Sequence, residues 1–185
     1  NLQVAGGRYQ VQAVMGAQAP MPLRVDAQGT VQTSVPGGGE NITLQAVAKL
    51  TGTLATVDAA LDATASLKTT GGAAPAADAP TLEATARLRP WLTQPVESAD
   101  ATMHRLNLAA LWPRAPVTGL SGTVKARPEG EAWRAEVRLS NTGSGPADQQ
   151  RLPLDRLEAD LEQRGVRWTL SRLDAQLGGG RLQGQ

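Results

Sequence analysis

Four groups of residues have the types and spacing that chemistry requires. His104 is the sole histidine; it falls beside Asp100 and Thr102, and a lone imidazole without an oriented partner builds no Ser-His-Asp relay, so it reads as a solvated surface histidine. Glu158, Asp160 and Glu162 alternate along one strand face, as oxygen ligands for calcium would. Arginines at 156, 164 and 167 flank them, however, and favour a charged, solvated face. Gly178-Gly179-Gly180 is followed by neither Gly-Lys-Ser/Thr nor a helical pattern, which makes it a hairpin turn and not a phosphate loop. Asn41-Ile42-Thr43 matches a glycosylation sequon that is too short to carry a role. No convergent polar site emerges, so the chain is expected not to be an enzyme, with no cofactor and no metal.

Composition narrows the partners. The 185 residues carry 18 basic and 17 acidic side chains, and a chain this near neutrality has no long-range field to recruit nucleic acid. Cysteine is absent, which removes disulfides and thiolate chemistry and suits cytosol and periplasm alike. No run approaches the roughly 20 apolar residues of a membrane-spanning helix. The chain begins at Asn1 and ends at Gln185 inside a strand-like pattern, which reads as residues 1–185 of a longer, repetitive protein.

The elements that must position any site are strands. Val57, Ala59, Leu61, Ala63, Ala65 and Leu67 alternate with Asp58, Asp62, Thr64, Ser66 and Lys68, a period of two that gives one apolar and one polar face. The same alternation predicts strands at Tyr9–Met15, Leu23–Val31, Ile42–Leu50, Leu82–Leu88, Ala99–Met103, Leu120–Ala126, Trp133–Leu139, Leu157–Leu161, Val166–Leu170 and Leu173–Leu177. Gly37, Gly38 and Gly39 mark a turn, and residues 69–81 read as a flexible loop. The apolar parity slips between Leu170 and Leu173, which predicts a bulge at Ser171 and Arg172. Asn107 to Pro113 has a capping asparagine, spaced leucines and a terminal proline, and predicts a short helix. The tripeptides Gly29-Thr30-Val31, Gly52-Thr53-Leu54 and Gly122-Thr123-Val124 suggest an array of similar hairpins. Trp133 and Trp168 keep apolar parity as core or groove lining, whereas Trp91 and Trp112 beside prolines read as packing. With no phenylalanine, the aromatic girdles of a membrane barrel are missing. No long helix is available to cover the apolar faces, so they close on one another or face a ligand.

Two stretches, Leu106 to Ala126 (LNLAALWPRAPVTGLSGTVKA) and the terminal LSRLDAQLGGGRLQGQ, resemble repeats of the TamB family of AsmA-like periplasmic proteins. In that family a glycine-rich turn followed by Arg, Leu and Gly ends a strand pair, as Gly178 to Gly184 do here. A segment of the type LDLAAL-x-P precedes an L-x-G-x-[VL] strand; this chain has Asn107 in place of the Asp. The likeness is strongest over 82–185. It implies an all-β fold: a long, curved, mostly antiparallel sheet folded lengthwise into an apolar-lined trough with one or two short helices. It also implies a place in the periplasm, as part of a protein anchored in the inner membrane and reaching an Omp85-type, TamA-like outer-membrane partner. The expected function is a hydrophobic conduit for phospholipid acyl chains, or a chaperone for unfolded outer-membrane protein strands.

The groove is expected to be lined by Val57, Leu61, Leu67, Leu82, Leu88, Val124, Trp133, Val137, Leu139, Leu157, Leu161, Val166, Trp168, Leu170, Leu173 and Leu177. The rival expectation is a β-sandwich or β-helix adhesin whose sealed core binds no cargo. An open sheet has two edges, expected nearest Tyr9 and Leu177, and such edges favour edge-to-edge self-association of copies of the chain.

Overall fold

The computed structural model describes residues 7–34, 41–70, 79–111 and 115–185. Eleven strands form one antiparallel sheet whose spatial order is the sequence order. They are β1 (Gly7–Met15), β2 (Pro22–Ser34), β3 (Asn41–Thr53), β4 (Leu61–Thr70), β5 (Thr81–Leu88), β6 (Val96–Leu106), β7 (Leu120–Glu129), β8 (Ala132–Asn141), β9 (Arg156–Arg164), β10 (Arg167–Leu177) and β11 (Gly180–Gly184). One short helix, α1 (Leu108–Leu111), joins β6 to β7, and a 3-10 turn at Ala147–Gln149 lies between β8 and β9. Among the described residues the sheet is open: β1 pairs only with β2 and β11 only with β10. A single antiparallel sheet has neither the two packed sheets of a sandwich nor the parallel stacking of a β-helix.

A meander follows from the connections. At one end, β7–β8 and β9–β10 turn on two residues, since Glu129 pairs with Ala132 and Arg164 with Arg167. Gly165 adopts φ +59° as the first turn residue, the position that glycine takes in a type II′ hairpin. Val166 is therefore the second turn residue and not the start of a strand, and it is fully exposed. Val57 is a second correction. The Ala59 N–H donates to the Thr56 carbonyl at 3.0 Å, which closes a turn around Val57 and Asp58, so β4 begins only at Leu61 and Val57 is 78% exposed. Its apolar parity with Leu61 is a coincidence of spacing, because period alone does not register a turn.

Other expectations meet the structure more closely. Register shifts between Leu170 and Arg172, and the Ser171 hydroxyl at that bulge donates to the Asp160 carbonyl at 3.0 Å. Thr69 and Thr70 belong to β4 and Thr81 opens β5, which shortens the expected loop; residues 71–78, the turn at Gly37 to Gly39, and Trp112 lie outside the described residues. β11 follows the hairpin turn at Gly178 and Gly179. It displaces the strand of Leu177 from the edge.

Both ends of the sheet are latched by loops. At one end the Leu54 N–H donates to the Met21 carbonyl at 3.2 Å, and the Trp91 indole N–H donates to the Leu54 carbonyl at 3.0 Å. Three successive loops are thereby tied in series. At the other end Asn107 Oδ1 accepts from the N–H groups of Ala109 at 3.1 Å and Thr118 at 3.2 Å, capping α1 and pinning the chain that returns to β7. Asn141 Oδ1 accepts from Gly119 at 2.8 Å and from Gly143 at 3.1 Å. Thr118 and Asn141 are both buried, and their hydrogen bonds satisfy polar groups that would otherwise be costly there. The helix α1 lies against β2, and Ala109, Ala110 and Leu106 around it are among the most buried residues.

Candidate functional site

Because directly opposed residues of an antiparallel pair share a face, the register fixes which side chains meet across the whole sheet. Val11, Ala27, Ala48, Ala65, Ala84, Ala101, Val124, Val137, Ala159, Leu173 and Gly184 form one row through all eleven strands, each opposite the next. A flanking row runs through Tyr9, Gly29, Ala46, Leu67, Leu82, Met103, Gly122, Leu139, Leu157, Ala175 and Leu182. The row on the other side runs from Ala13 through Val25, Leu50, Ala63, Ala86, Ala99, Ala126 and Ala135 to Leu161 and Leu170. No charged side chain interrupts any of the three. At roughly 4.8 Å per strand, ten steps along the rows trace about 48 Å.

This face is apolar without being sealed. Among the described residues no large side chain is fully buried, and the most buried apolar residues gather largely at strand ends. Two depressions open on the face. One of about 320 Å³ is lined by Tyr9, Val11, Ala27, Ala46, Leu67 and Leu82, and one of about 450 Å³ by Leu50, Ala63, Ala86, Ala99, Ala101 and Val124. Ala48, Ala65 and Ala84 line both. Alanine keeps these depressions open: larger side chains in the same rows would fill them.

Most of the expected lining residues fall on this face. Val124, Val137 and Leu173 lie in the central row; Leu67, Leu82, Leu139, Leu157, Leu161 and Leu170 lie in the flanking rows. Leu61 and Leu88 oppose each other one row farther out, and Leu61 is itself buried. Trp133 and Trp168 stand on either side of Gln163, likewise one row beyond the flanking row of Ala135, Leu161 and Leu170, and Trp168 is 63% exposed. Leu177 opposes Gly180 at the β10–β11 turn. Val57 and Val166 lie in turns, away from the face. The alternation places Ala63, Ala65, Ala84 and Ala86 on the apolar face, but the expected lining names only larger side chains and leaves out the alanines that floor both depressions. The signal was present in Ala84 and Ala86 and in Ala99 and Ala101, small residues repeated at period two.

The opposite face is polar and internally paired. The carboxylate of Glu158 meets the guanidinium groups of Arg156 and Arg172, Glu162 pairs with Arg164 at 3.2 Å, and Arg127 holds Asp100 through two hydrogen bonds of 2.8 and 2.9 Å. Arg181 donates to Asp174, holding that carboxyl below the usual carboxylate range. Arg89 does the same to Glu97, and Arg24 to Asp26. Among the described residues no three His, Cys, Asp or Glu side chains are grouped to hold a metal ion. His104 is exposed at a bulge where register shifts between Met103 and Leu106.

Two glycines of the repeated Gly-Thr motif have one shared purpose. A Cβ on Gly52 would fall 2.0 Å from the Ala60 carbonyl oxygen, and one on Gly122 would fall 2.0 Å from the Arg138 carbonyl oxygen. Gly29 differs, for the Tyr9 ring lies over it, with Cδ1 2.8 Å from where a Cβ would be. Compared with protein-family models, curated proteins and solved structures, the chain matches none.

Proposed function

We propose that this sheet is a section of an apolar path for phospholipid acyl chains, within a protein that bridges inner and outer membranes across the periplasm. The observation that carries the reading is the set of three unbroken apolar rows running at right angles to the strands. An acyl chain of about 16 methylenes leaving a bilayer exposes apolar surface worth roughly 13 kcal/mol at about 0.8 kcal/mol per methylene, and a continuous apolar face offsets much of that cost at every step. Rows across the strands offer the same surface on each successive strand, so a chain moves from strand to strand without meeting a charge. Alanine floors give the chain room. The rows contain no cluster of polar groups to hold a headgroup, so passage is unselective and its direction is set elsewhere. The likeness of residues 82–185 to TamB repeats supports the periplasmic setting and an Omp85-type partner.

Titration of the purified chain with a fluorescent fatty-acid analogue, alongside native mass spectrometry after incubation with phospholipid vesicles, tests this reading. Saturable binding and retained lipid are expected. Ala84→Asp should weaken binding by about 70-fold or more, in line with the roughly 2.5 to 3.5 kcal/mol that a charge costs in an apolar setting, whereas Thr123→Asp on the polar face, opposite Arg138, should leave it unchanged. Equal loss from both variants, with folding intact, would overturn the proposal. Binding of an unfolded outer-membrane strand in place of lipid would redirect it to the chaperone role.

A further inference from the structure

We propose that the loops joining β3 to β4 and β5 to β6 form one apolar patch that docks this end of the sheet on the surface of a phospholipid bilayer. The docking goes beyond the acyl-chain reading and stands whether or not the face carries lipid. In a meander whose strands follow sequence order, the β1–β2, β3–β4 and β5–β6 connections all lie at one end, and hydrogen bonds hold these three loops together. The Trp91 indole donates to the Leu54 carbonyl, and the N–H groups of Leu54 and Ala55 donate to the carbonyls of Met21 and Pro20 at 3.2 and 3.3 Å.

The joined loops present large apolar side chains to solvent. Val57 is 78%, Trp91 59% and Leu92 50% exposed, and all three stand between β3 and β6, inside the sheet and away from its outermost strands. Charge is nearly absent around them. Across residues 16–21, 54–60 and 89–95 only Asp58 and Arg89 are charged; Glu97 holds Arg89 at 2.8 Å, and Asp58 adds to the attraction.

Chemistry selects a bilayer as the partner. Polar groups that enter an apolar layer must be satisfied within the protein, and the turns that carry the patch meet this demand. The Ala59 N–H closes the turn around Val57 on the Thr56 carbonyl at 3.0 Å, and the Leu92 N–H donates to the Arg89 carbonyl at 3.1 Å. Because the Trp91 indole N–H is taken by Leu54 at 3.0 Å, the ring enters the interface without an unpaired donor. Tryptophan beside aliphatic side chains suits the boundary between water and hydrocarbon. A stable protein interface engages roughly 20 to 30 residues a side, whereas these loops offer three large exposed apolar side chains.

Cosedimentation of the chain with vesicles of phosphatidylcholine alone, and of phosphatidylethanolamine with phosphatidylglycerol, tests the proposal. Both should bind the chain, and binding should persist at about 0.5 M salt, where attraction between exposed charges is largely screened. Tryptophan emission should shift to the blue on binding. The double variant Val57→Asp, Leu92→Asp should lower partitioning at least tenfold, with its folding checked by a thermal melt, whereas Thr123→Asp on the polar face should not. Trp91→Phe should keep binding and lose most of the emission shift. Binding confined to the anionic vesicles and abolished by salt, unaltered partitioning of the double variant, or a full emission shift in Trp91→Phe would each overturn the proposal. Absence of binding to either vesicle would overturn it as well and leave the patch to a protein partner.

Discussion

Ala48 on β3 stands directly opposite Ala65 on β4, and this pair lines both depressions of the apolar face. Their small side chains make the two depressions continuous. Ala65→Phe should therefore occlude both, reducing affinity for an acyl chain by about tenfold, which corresponds to roughly 1.4 kcal/mol. Ala65 is exposed, so unfolding temperature should change little. Fluorescence titration and a thermal melt measured on the same variant check the two halves of this expectation.

Gly122 has φ +146°, and an added Cβ would sit 2.0 Å from the Arg138 carbonyl oxygen. Gly122→Ala forces the β7–β8 backbone apart, and a loss of about 2 kcal/mol or more is expected. Chemical denaturation gives the value. A change below about 0.5 kcal/mol, the range of ordinary surface substitutions, would show that the strands shift at no cost.

Asn107→Ala strips the cap from α1 and removes the acceptor for the Thr118 N–H, in a residue that is itself buried. The expected loss is about 1 to 2 kcal/mol. Hydrogen exchange should locate it, with faster exchange at Ala109 and Thr118 and little change in β9 or β10. Asn107→Asp retains the acceptor and should keep most of the protection.

Arg181 holds the Asp174 carboxyl below its ordinary range, chiefly by hydrogen bonding and secondarily by charge. A lowered folded-state value stabilises the hairpin above the unfolded aspartate value of about 4, and that contribution disappears as pH falls through the folded value. The β10–β11 amides should accordingly lose protection below about pH 4. Asp174→Asn should remove this part of the acid dependence. A pH series of amide exchange on both proteins reads the difference, which is small because the pair lies on the solvated polar face.

What the sequence determined alone was the face on which each residue lies. Period-two alternation from Leu23 to Val31, from Leu82 to Leu88 and from Trp133 to Leu139 places apolar and polar side chains on opposite sides before any strand finds its neighbour, because successive residues of a pleated strand must point in opposite directions. The bulge at Ser171 was legible for the same reason, as a break in parity. So was the cap at Asn107, whose side chain acts within a few residues. Turns were harder. Val57 and Val166 carry the parity of the strands they adjoin, and only the hydrogen bond from Ala59 to Thr56 and the backbone of Gly165 take them off the sheet.

Strand order, register and the extent of the apolar rows were decided by tertiary structure. Nothing local to Ala48 specifies that it meets Ala65, or that this row continues to Val137 and Leu173; hydrogen bonding between strands sets that alignment. The open depressions likewise exist only once alanines from separate strands stand side by side, because space left by a small side chain becomes a cavity only when its neighbours leave it empty too.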